Sequence, residues 1–432
     1  LRYDLDVKQR LLILASKLGY QTRTFAEAAQ RLGVEVVLGT DRCHQLDDPW
    51  SDGAIALHFE DSPAAAVHLA EALGARPVNG VLALGDRPIA AAAYFAQMAR
   101  LSHNLPQAVN ACRSKLTQRQ VLSAAGLPVP LFFSFGVQED PSAQLSRIPF
   151  PCVVKPLALA GSQGVMRANN AAEFLSAVAR LRNLLGSSEV QATREPWLDR
   201  VLVENYIPGV EVAVEGLLTH GQLRVLAIFD KPDPLEGPYF EESIYVTPSR
   251  LPPARQQEIT ACLTRTVQAL GLTHGPLHAE FRLNDQGVWV LEVSPRPIGG
   301  LCSRALRFGP HGAFLEELLV RHALQMPGAD WPRESSASGV MMIPVPMSGV
   351  FTGVTGADEA QRLPAVTSLE ITARVHDYIA AWPEGSSYLG FIFARADRPD
   401  QVENALRQAH AKLRFQIVPR LTVEHPALGR VR

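Results

Sequence analysis

The 432-residue chain lacks any apolar run near the ~18 residues that cross a bilayer, which excludes a membrane-spanning helix. It also lacks a charge excess. Forty-one basic residues stand against 43 acidic ones, a net charge of −2, and no basic run interleaves with aromatics, so nothing marks a nucleic-acid partner. Residues 1–10 carry Arg2, Asp4, Asp6, Lys8 and Arg10 before a short apolar strand, unlike a secretory signal. Cysteine is sparse: Cys43, Cys112, Cys152, Cys262 and Cys302 are scattered, odd in number and never Cys-x-x-Cys. That excludes a disulfide framework and fits reduced thiols in a cytoplasmic protein. There is no Gly-x-Gly-x-x-Gly, so dinucleotide binding has little support, and no Gly-x-x-x-x-Gly-Lys-Ser/Thr, so there is no P-loop. A Met-Lys-Met biotin carrier motif, internal repeats and low-complexity tracts are absent too.

What is present centres on residues 276–296, where two alternating stretches flank Asn284-Asp285-Gln286-Gly287, the mark of a β-hairpin. Pairing Asn284 with Val288 sets Arg282 opposite Val290, Glu280 opposite Glu292 and His278 opposite Ser294; a bulge would shift this by one residue. Strand alternation then gathers His278, Glu280, Arg282, Val290, Glu292 and Ser294 on one face. Phe281, Leu283, Trp289, Leu291 and Val293 face the core. Two opposed carboxylates with Cβ atoms about 5 Å apart repel unless neutralised. A proton can do this, but a divalent cation does it better, and the oxygen-only set Glu280, Glu292 and Ser294 suits Mg²⁺ rather than zinc. The bland alternative is a solvated face of an ordinary hairpin.

At about 150 residues per domain the length predicts three domains. Strand runs at 11–14, 34–38, 54–57 and 81–84, with a helix through Arg31, make a Rossmann-like start. Gly85-Asp86-Arg87-Pro88 opens an Ala-rich helix over 88–100, and Asp86 reads as its N-cap in preference to a ligand-facing group at a strand end. A helix over 108–125 carries Arg113, Lys115 and Arg119. Then come a strand ending at Lys155, the small-residue loop holding Gly161, Ser162, Gln163 and Gly164, a strand to Arg167 and a helix over 171–185. Such a unit can close over phosphates, with loop amides wrapping anionic oxygens and Lys155 adding charge, though a plain turn serves equally. A buried strand leads to Glu204 and Glu211, a hairpin turns at His220-Gly221, and Asp230-Lys231-Pro232 opens an irregular insert through Glu242. A helix spans 254–270. After the central hairpin, Arg296 and Arg304 flank Gly299-Gly300, offering forked donors for anions. Cys302 reads as a passive thiol. A helix over 312–325 follows. The last hundred residues read as a separate module, with strands at 340–346, 371–375, 391–394 and 415–418 and a helix over 399–413.

In this order, Lys115, Lys155, the glycine loop, Glu204, Glu211 and the Glu-x-Ser-Pro-Arg end of the hairpin resemble the ATP-grasp superfamily over about the first 325 residues. The Asp-Lys-Pro insert and the Pro-Arg-Pro-Ile-Gly-Gly run bring the chain closer to L-amino-acid ligases (dipeptide synthetases) and carbamoyl-phosphate-synthetase-like proteins. The resemblance implies an α/β (α+β ATP-grasp) fold. A Rossmann-like pre-ATP-grasp domain would span 1–112 and an ATP-grasp domain 113–325, its lid at about 150–200. A small α+β module would span 326–432. It implies ATP and Mg²⁺, with Mn²⁺ as a substitute. Lys115, Lys155 and Lys231 would hold phosphates, and the loop with Gly161, Ser162, Gln163 and Gly164 would cover them. Glu204 with the backbone of Tyr206 and Ile207 would receive adenine, and Glu211 the ribose. Glu280, Glu292 and Ser294 would bind metal; the family usually has Asn where Ser294 stands, which leaves a second metal open. Arg296, with Arg304, would stabilise phosphate oxygens, and His278 would lie near the acceptor.

The implied activity is ATP-dependent joining of a small carboxylate, an amino acid in kind, to an amine through an acylphosphate, with release of ADP and phosphate. A biotin-carboxylase-like or carbamate-forming enzyme, and a non-catalytic nucleotide-binding subunit, are the rivals. Glu241 or Glu242 could receive an ammonium group and Arg304 a carboxylate, with plain surface charge an equal reading. The C-terminal module either supplies a homodimer interface or covers the site.

Overall fold

The computed structural model describes residues 8–16, 19–41, 54–419, 423–425 and 429–431; Arg2, Asp4, Asp6, Lys17, Leu18 and Cys43 lie outside them. The amino-terminal unit comprises β1 (Arg10–Ala15), α1 (Tyr20–Arg31), β2 (Glu35–Thr40), β3 (Ala54–Ala56), α2 (Ser62–Leu73), β4 (Gly80–Leu84) and α3 (Ile89–Ala99). Its sheet is parallel, in the order β3-β2-β1-β4. Parallel strands are covered on both faces, which is why Leu11 to Leu14 form an unbroken apolar run and are all fully buried. The helix expected over 108–125 is two helices, α4 (Pro106–Arg113) and α5 (Lys115–Ala124). Ser114 is extended (φ −102°, ψ 114°), and its hydroxyl accepts from the Thr117 amide. A capping serine thus breaks the chain and starts a new helix at Lys115.

The unit expected to form the lid at about 150–200 is a four-stranded sheet with helices that begins earlier, at Phe132. It holds β5 (Phe132–Gly136), β6 (Cys152–Pro156), β7 (Met166–Ala168), α6 (Ala171–Leu185), α7 (Ser188–Ala192) and β8 (Arg200–Asn205). Its antiparallel sheet runs β5-β8-β6-β7, and α6 packs Phe174, Val178, Leu181 and Leu185 on it. Next come β9 (Val210–Thr219), β10 (Gln222–Asp230), β11 (Ile244–Thr247), α8 (Pro253–Leu270), β12 (Gly275–Asn284), β13 (Gly287–Ser294), the short pair β14 (Arg307–Phe308) and β15 (Ala313–Phe314), and α9 (Leu315–Ala323). The carboxyl-terminal segment adds β16 (Ala337–Ile343), β17 (Gly349–Thr355), α10 (Ala357–Gln361), β18 (Val366–Ile371), β19 (Tyr378–Ile379), β20 (Gly390–Ala396), α11 (Pro399–Lys412) and β21 (Arg414–Val418), then β22 (Val423–His425) and β23 (Gly429–Val431).

That segment does not stand apart. One antiparallel sheet of eight strands, β13-β12-β9-β10-β11-β16-β20-β18, crosses the expected boundary at 326 where β11 pairs with β16. The strand expected at 371–375 ends instead at Ile371. One core cluster joins Leu11 and Phe25 of the first unit to Phe229 and Tyr245 of the central sheet and to Phe391 of β20. The lid core around Val154, Phe174 and Leu181 is separate. Among the described residues no helix is long and apolar enough to cross a membrane.

Candidate active site

The central hairpin keeps its expected pairing at the functional end, His278 with Ser294 and Glu280 with Glu292, and loses it toward the turn. There Phe281 pairs with Val290, Arg282 with Trp289 and Asn284 with Gly287, leaving Asp285 and Gln286 as the loop. Leu291 is the extra residue of a β-bulge. The bulge corrects the face assignment as well. Val290 is fully buried in the core, whereas Leu291 joins Glu292 on the wall of the cleft. Helix α5 fixes this edge. The Gln118 amide donates to the Val293 carbonyl (2.8 Å) and accepts from its N–H (3.0 Å), filling the free edge of β13, and Arg119 donates to the Leu291 carbonyl at 2.6 Å.

A cleft of about 960 Å³, open to solvent, lies between lid and sheet. From the lid and the segment after it come Lys155, Gly161, Ser162, Glu204, Tyr206 and Ile207; the sheet brings Glu211, His278, Glu280, Glu292, Ser294 and Arg296, and α5 brings Lys115. Gln163, Gly164, Lys231 and Arg304 are not on its wall. Gln163 and Gly164 are engaged elsewhere. The Gln163 side chain donates to the Glu384 carbonyl (2.7 Å), the Gly164 amide to the Pro383 carbonyl (2.8 Å), and the Trp382 indole to the Gly161 carbonyl (3.1 Å). Arg180 of the lid pairs with the Glu384 carboxylate. The carboxyl-terminal segment therefore clasps the glycine loop over the cleft. Gly164 has φ +74°, and a Cβ there would lie 2.9 Å from Leu181.

Each opposed carboxylate has its own lysine: Lys231 stands 3.5 Å from Glu280 and Lys115 stands 3.4 Å from Glu292. Lys231 is buried and also binds Glu211 (2.8 Å) and Glu242. One oxygen from each of Glu211, Glu242 and Glu280 lies within 4.8 Å of the others, a spacing that could hold a metal. Lys231 already bonds two of them and faces the third, so this cluster is neutralised by an ammonium. Among the described residues Glu292 has one ion-pair partner and is a third exposed, so the Glu280, Glu292 and Ser294 set is the better fit for a hard cation. Burial would raise the Glu280 carboxyl, but Lys231 and His278 hold it well below the carboxylate range. Glu242 is pushed up to about 7, chiefly by burial, and accepts from the Tyr245 hydroxyl at 2.8 Å. Glu241 faces away, accepting from the Val345 amide.

Buried Glu204 is committed to two cations, Arg119 at 2.7 Å and Lys155 at 2.5 Å. Burial lowers Lys155 to about 8, partly offset by Glu204. On the neighbouring strand pair, Glu215 of β9 sits opposite His278 and Glu211 opposite Arg282. His278 Nδ1 is 2.5 Å from Glu215 and Nε2 3.3 Å from Glu280. Burial would lower this imidazole, yet Glu215 and Glu280 carry it to about 9. Glu215 went unread in the sequence. Its signal was an acid four residues from Glu211, on the same face of an apolar strand.

Asp86 is not a helix cap. Pro88 takes the cap position of α3, and Asp86 grips Arg296 through both oxygens (3.0 and 3.1 Å). Burial would raise Asp86; Arg296 holds it below its usual value. The first unit thus places a group in the site from a strand's carboxyl end. Arg304 is a second correction. The 3₁₀ turn at Cys302–Ala305 carries it to a different concavity, where it pairs with Glu370 over the Phe393 ring. Cys302 is buried, and burial pushes its thiol far up, which fits a passive thiol.

Residues 148–305 match the ATP-grasp domain family, and residues 341–418 match L-amino acid ligase C-terminal domain 2. The crystal structure of L-amino acid ligase from Bacillus licheniformis superposes with a TM-score of 0.77 at 26% identity, covering 95% of this chain and 99% of that one. Carnosine synthase 1 of Gallus gallus is 32% identical over 181 residues, 42% of this chain but 19% of that protein. Alanine–anticapsin ligase of Bacillus amyloliquefaciens is 26% identical over 210 residues, 45% of this chain and 43% of that one. The chain thus spans less than half the length of each of these two sequence relatives. Residues 148–305 carry an ATP-grasp domain and residues 341–418 a carboxyl-terminal domain of the L-amino acid ligase kind, and the chain shares the fold of the Bacillus licheniformis ligase over 95% of its length.

Proposed function

We propose that this ATP-grasp ligase activates a small carboxylate, an amino acid in kind, as an acylphosphate and couples it to an amine, releasing ADP and phosphate. The observation that carries the reading is the pair of facing carboxylates, Glu280 and Glu292, beside Arg296 under a clasped glycine loop. MgATP, when bound, supplies the phosphoryl group and offsets the charge that gathers on it. Lys115 and Lys155 would hold its phosphates, and the backbone at Tyr206 and Ile207 its base. Glu280, Glu292 and Ser294 would hold the metal. With Arg119 and Lys155 on its carboxylate, Glu204 acts on the base side chiefly by fixing Lys155. Glu211, bound by Lys231 and Arg282, presents what acceptor capacity it has left to the ribose.

Asp86 holds Arg296 by Nε and Nη2, orienting it toward the phosphate oxygens. His278, kept cationic by Glu215, faces the acceptor side. Glu242 receives the ammonium group of a substrate; at about 7 it can also take a proton from an attacking amine. Closure of the lid over the cleft would exclude water from the acylphosphate.

The test is to supply purified protein, ATP and Mg²⁺ with amino-acid pairs and follow phosphate release, with mass detection of products. A condensation product formed in step with phosphate is expected. ATP hydrolysis driven by bicarbonate alone, or no phosphate with any acid–amine pair, would overturn the reading. Glu292→Gln should lower turnover by at least about 10²-fold. Unchanged turnover would remove its metal role.

A further inference from the structure

A second concavity, about 360 Å³, lies at the far edge of the central sheet and shares no wall residue with the first. Its walls come from the turn that carries Arg304, from Arg307, from Ser338 on β16, from Thr367 and Ser368 on β18 and from Arg395 on β20. Three arginines line it and no acid does. Two of the three are answered from outside the wall, Arg304 by Glu370 and Arg395 by Glu334. Among the described residues, no carboxylate pairs with Arg307. It donates to the carbonyls of Arg304 (2.7 Å) and Leu306 (3.3 Å), and its guanidinium lies 3.4 Å over the Phe314 ring. Burial and then the neighbouring charge of Arg395 lower it to about 10, against the weaker upward pull of Glu334 and Glu316, neither of whose carboxylates bonds to it.

The same wall holds a second unmet group. Ser338 is 1% exposed, and its hydroxyl has no hydrogen-bond partner among the described residues. A buried hydroxyl left so is costly, and native structures rarely leave one without a reason. Thr367 is the extra residue of a bulge in β18, between the Val366–Ala394 and Ser368–Phe393 pairs. Bulges of this kind re-aim side chains and recur beside binding sites. A guanidinium that no carboxylate bonds and a hydroxyl without a bond, in one concavity, suit the same thing, an acceptor with several oxygens. A tetrahedral oxyanion has oxygens left for Ser338 and Arg395 after a forked guanidinium has taken two.

We propose that this pocket binds a small phosphate-class oxyanion, free or as a phosphomonoester, through Arg307, Arg395 and Ser338. The claim is independent of the reaction assigned to the cleft.

Calorimetric titration of the full chain, saturated with MgADP to occupy the cleft, tests it. Inorganic phosphate is the titrant in one arm and glycerol phosphate in the other. One binding event per chain is expected in at least one arm. Arg307→Gln should weaken it about tenfold or more, and Arg307→Lys by less, since it keeps charge but loses the fork. Ser338→Ala, which only deletes an unpartnered hydroxyl and so should fold, should weaken it severalfold; it carries the test if the arginine variants do not fold. Binding in the phosphate arm alone identifies free phosphate as the ligand, and binding in the ester arm alone a phosphorylated metabolite. No binding in either arm, or equal affinity in wild type, R307Q and S338A, would overturn the proposal.

Discussion

His274, just before β12, and His278, on it, lie four residues apart and are similarly buried, at 7% and 8% exposure, yet their pKa values move in opposite directions. His274 stacks on His322 with ring centroids 4.5 Å apart and lies 5.2 Å from His220; its Nδ1 has no partner among the described residues. Burial, then the other histidines, pull it down to about 4, and His322 falls to about 4 for related reasons. His278 has Glu215 directly across the strand pair and rises to about 9. Burial penalises both cations, so the sign is set by what stands opposite. The sheet buries uncompensated titratable groups at one end as packing and compensated ones at the other as machinery.

The two ends therefore respond to pH in opposite senses. A histidine whose folded pKa lies below the ordinary 6.5 adds stability above that value and loses it as pH falls; this is the His274 and His322 case, over about pH 6.5 to 4. A histidine whose folded pKa is raised adds stability below 6.5 and loses it as pH climbs toward about 9, the His278 case.

The sharpest way to break the contrast is Glu215→Gln, which should turn His278 into a second His274. Its NMR-observed pKa should fall below 6.5, and stability by about 3 kcal/mol, the low end for a broken buried pair because His278 can shed its proton. A pKa that stays near 9 would mean Glu280 alone sets it. Next in size, His274→Phe keeps the stack and removes one titrating ring. Between pH 6.5 and 4 the stability of the variant should fall less steeply than that of the wild type, by up to about 1.4 kcal/mol per pH unit. Identical slopes in denaturant titrations would show that the histidine cluster is not what titrates. Smallest, Thr219→Val removes the hydroxyl 2.9 Å from His322 Nε2 and should cost about 1 kcal/mol at neutral pH, leaving the acid slope in place.

Much of this was legible in the chain. The helix over 171–185 has the expected bounds, because its apolar residues recur at helical spacing and Asn170 caps it. The Glu280–Glu292 facing pair followed from period-two alternation and a short turn. The register past Leu291 did not, because a bulge is stabilised from outside the hairpin, here by Arg119 on the Leu291 carbonyl. Ser114 hid in a helical pattern because its capping role shows only when the chain turns there.

Local spacing settled the strands, the α6 helix, the glycine loop and the acid pair, since each depends on neighbours within a few residues. The fold itself had to decide that Asp86 reaches Arg296 across 210 positions, that Glu384 clasps the lid, that Arg304 leaves the cleft for a pocket of its own and that one sheet runs through the supposed domain boundary. Those outcomes rest on charges and hydrogen bonds between distant segments. Their strength depends on burial and on the partner opposite, and neither exists until the chain has folded.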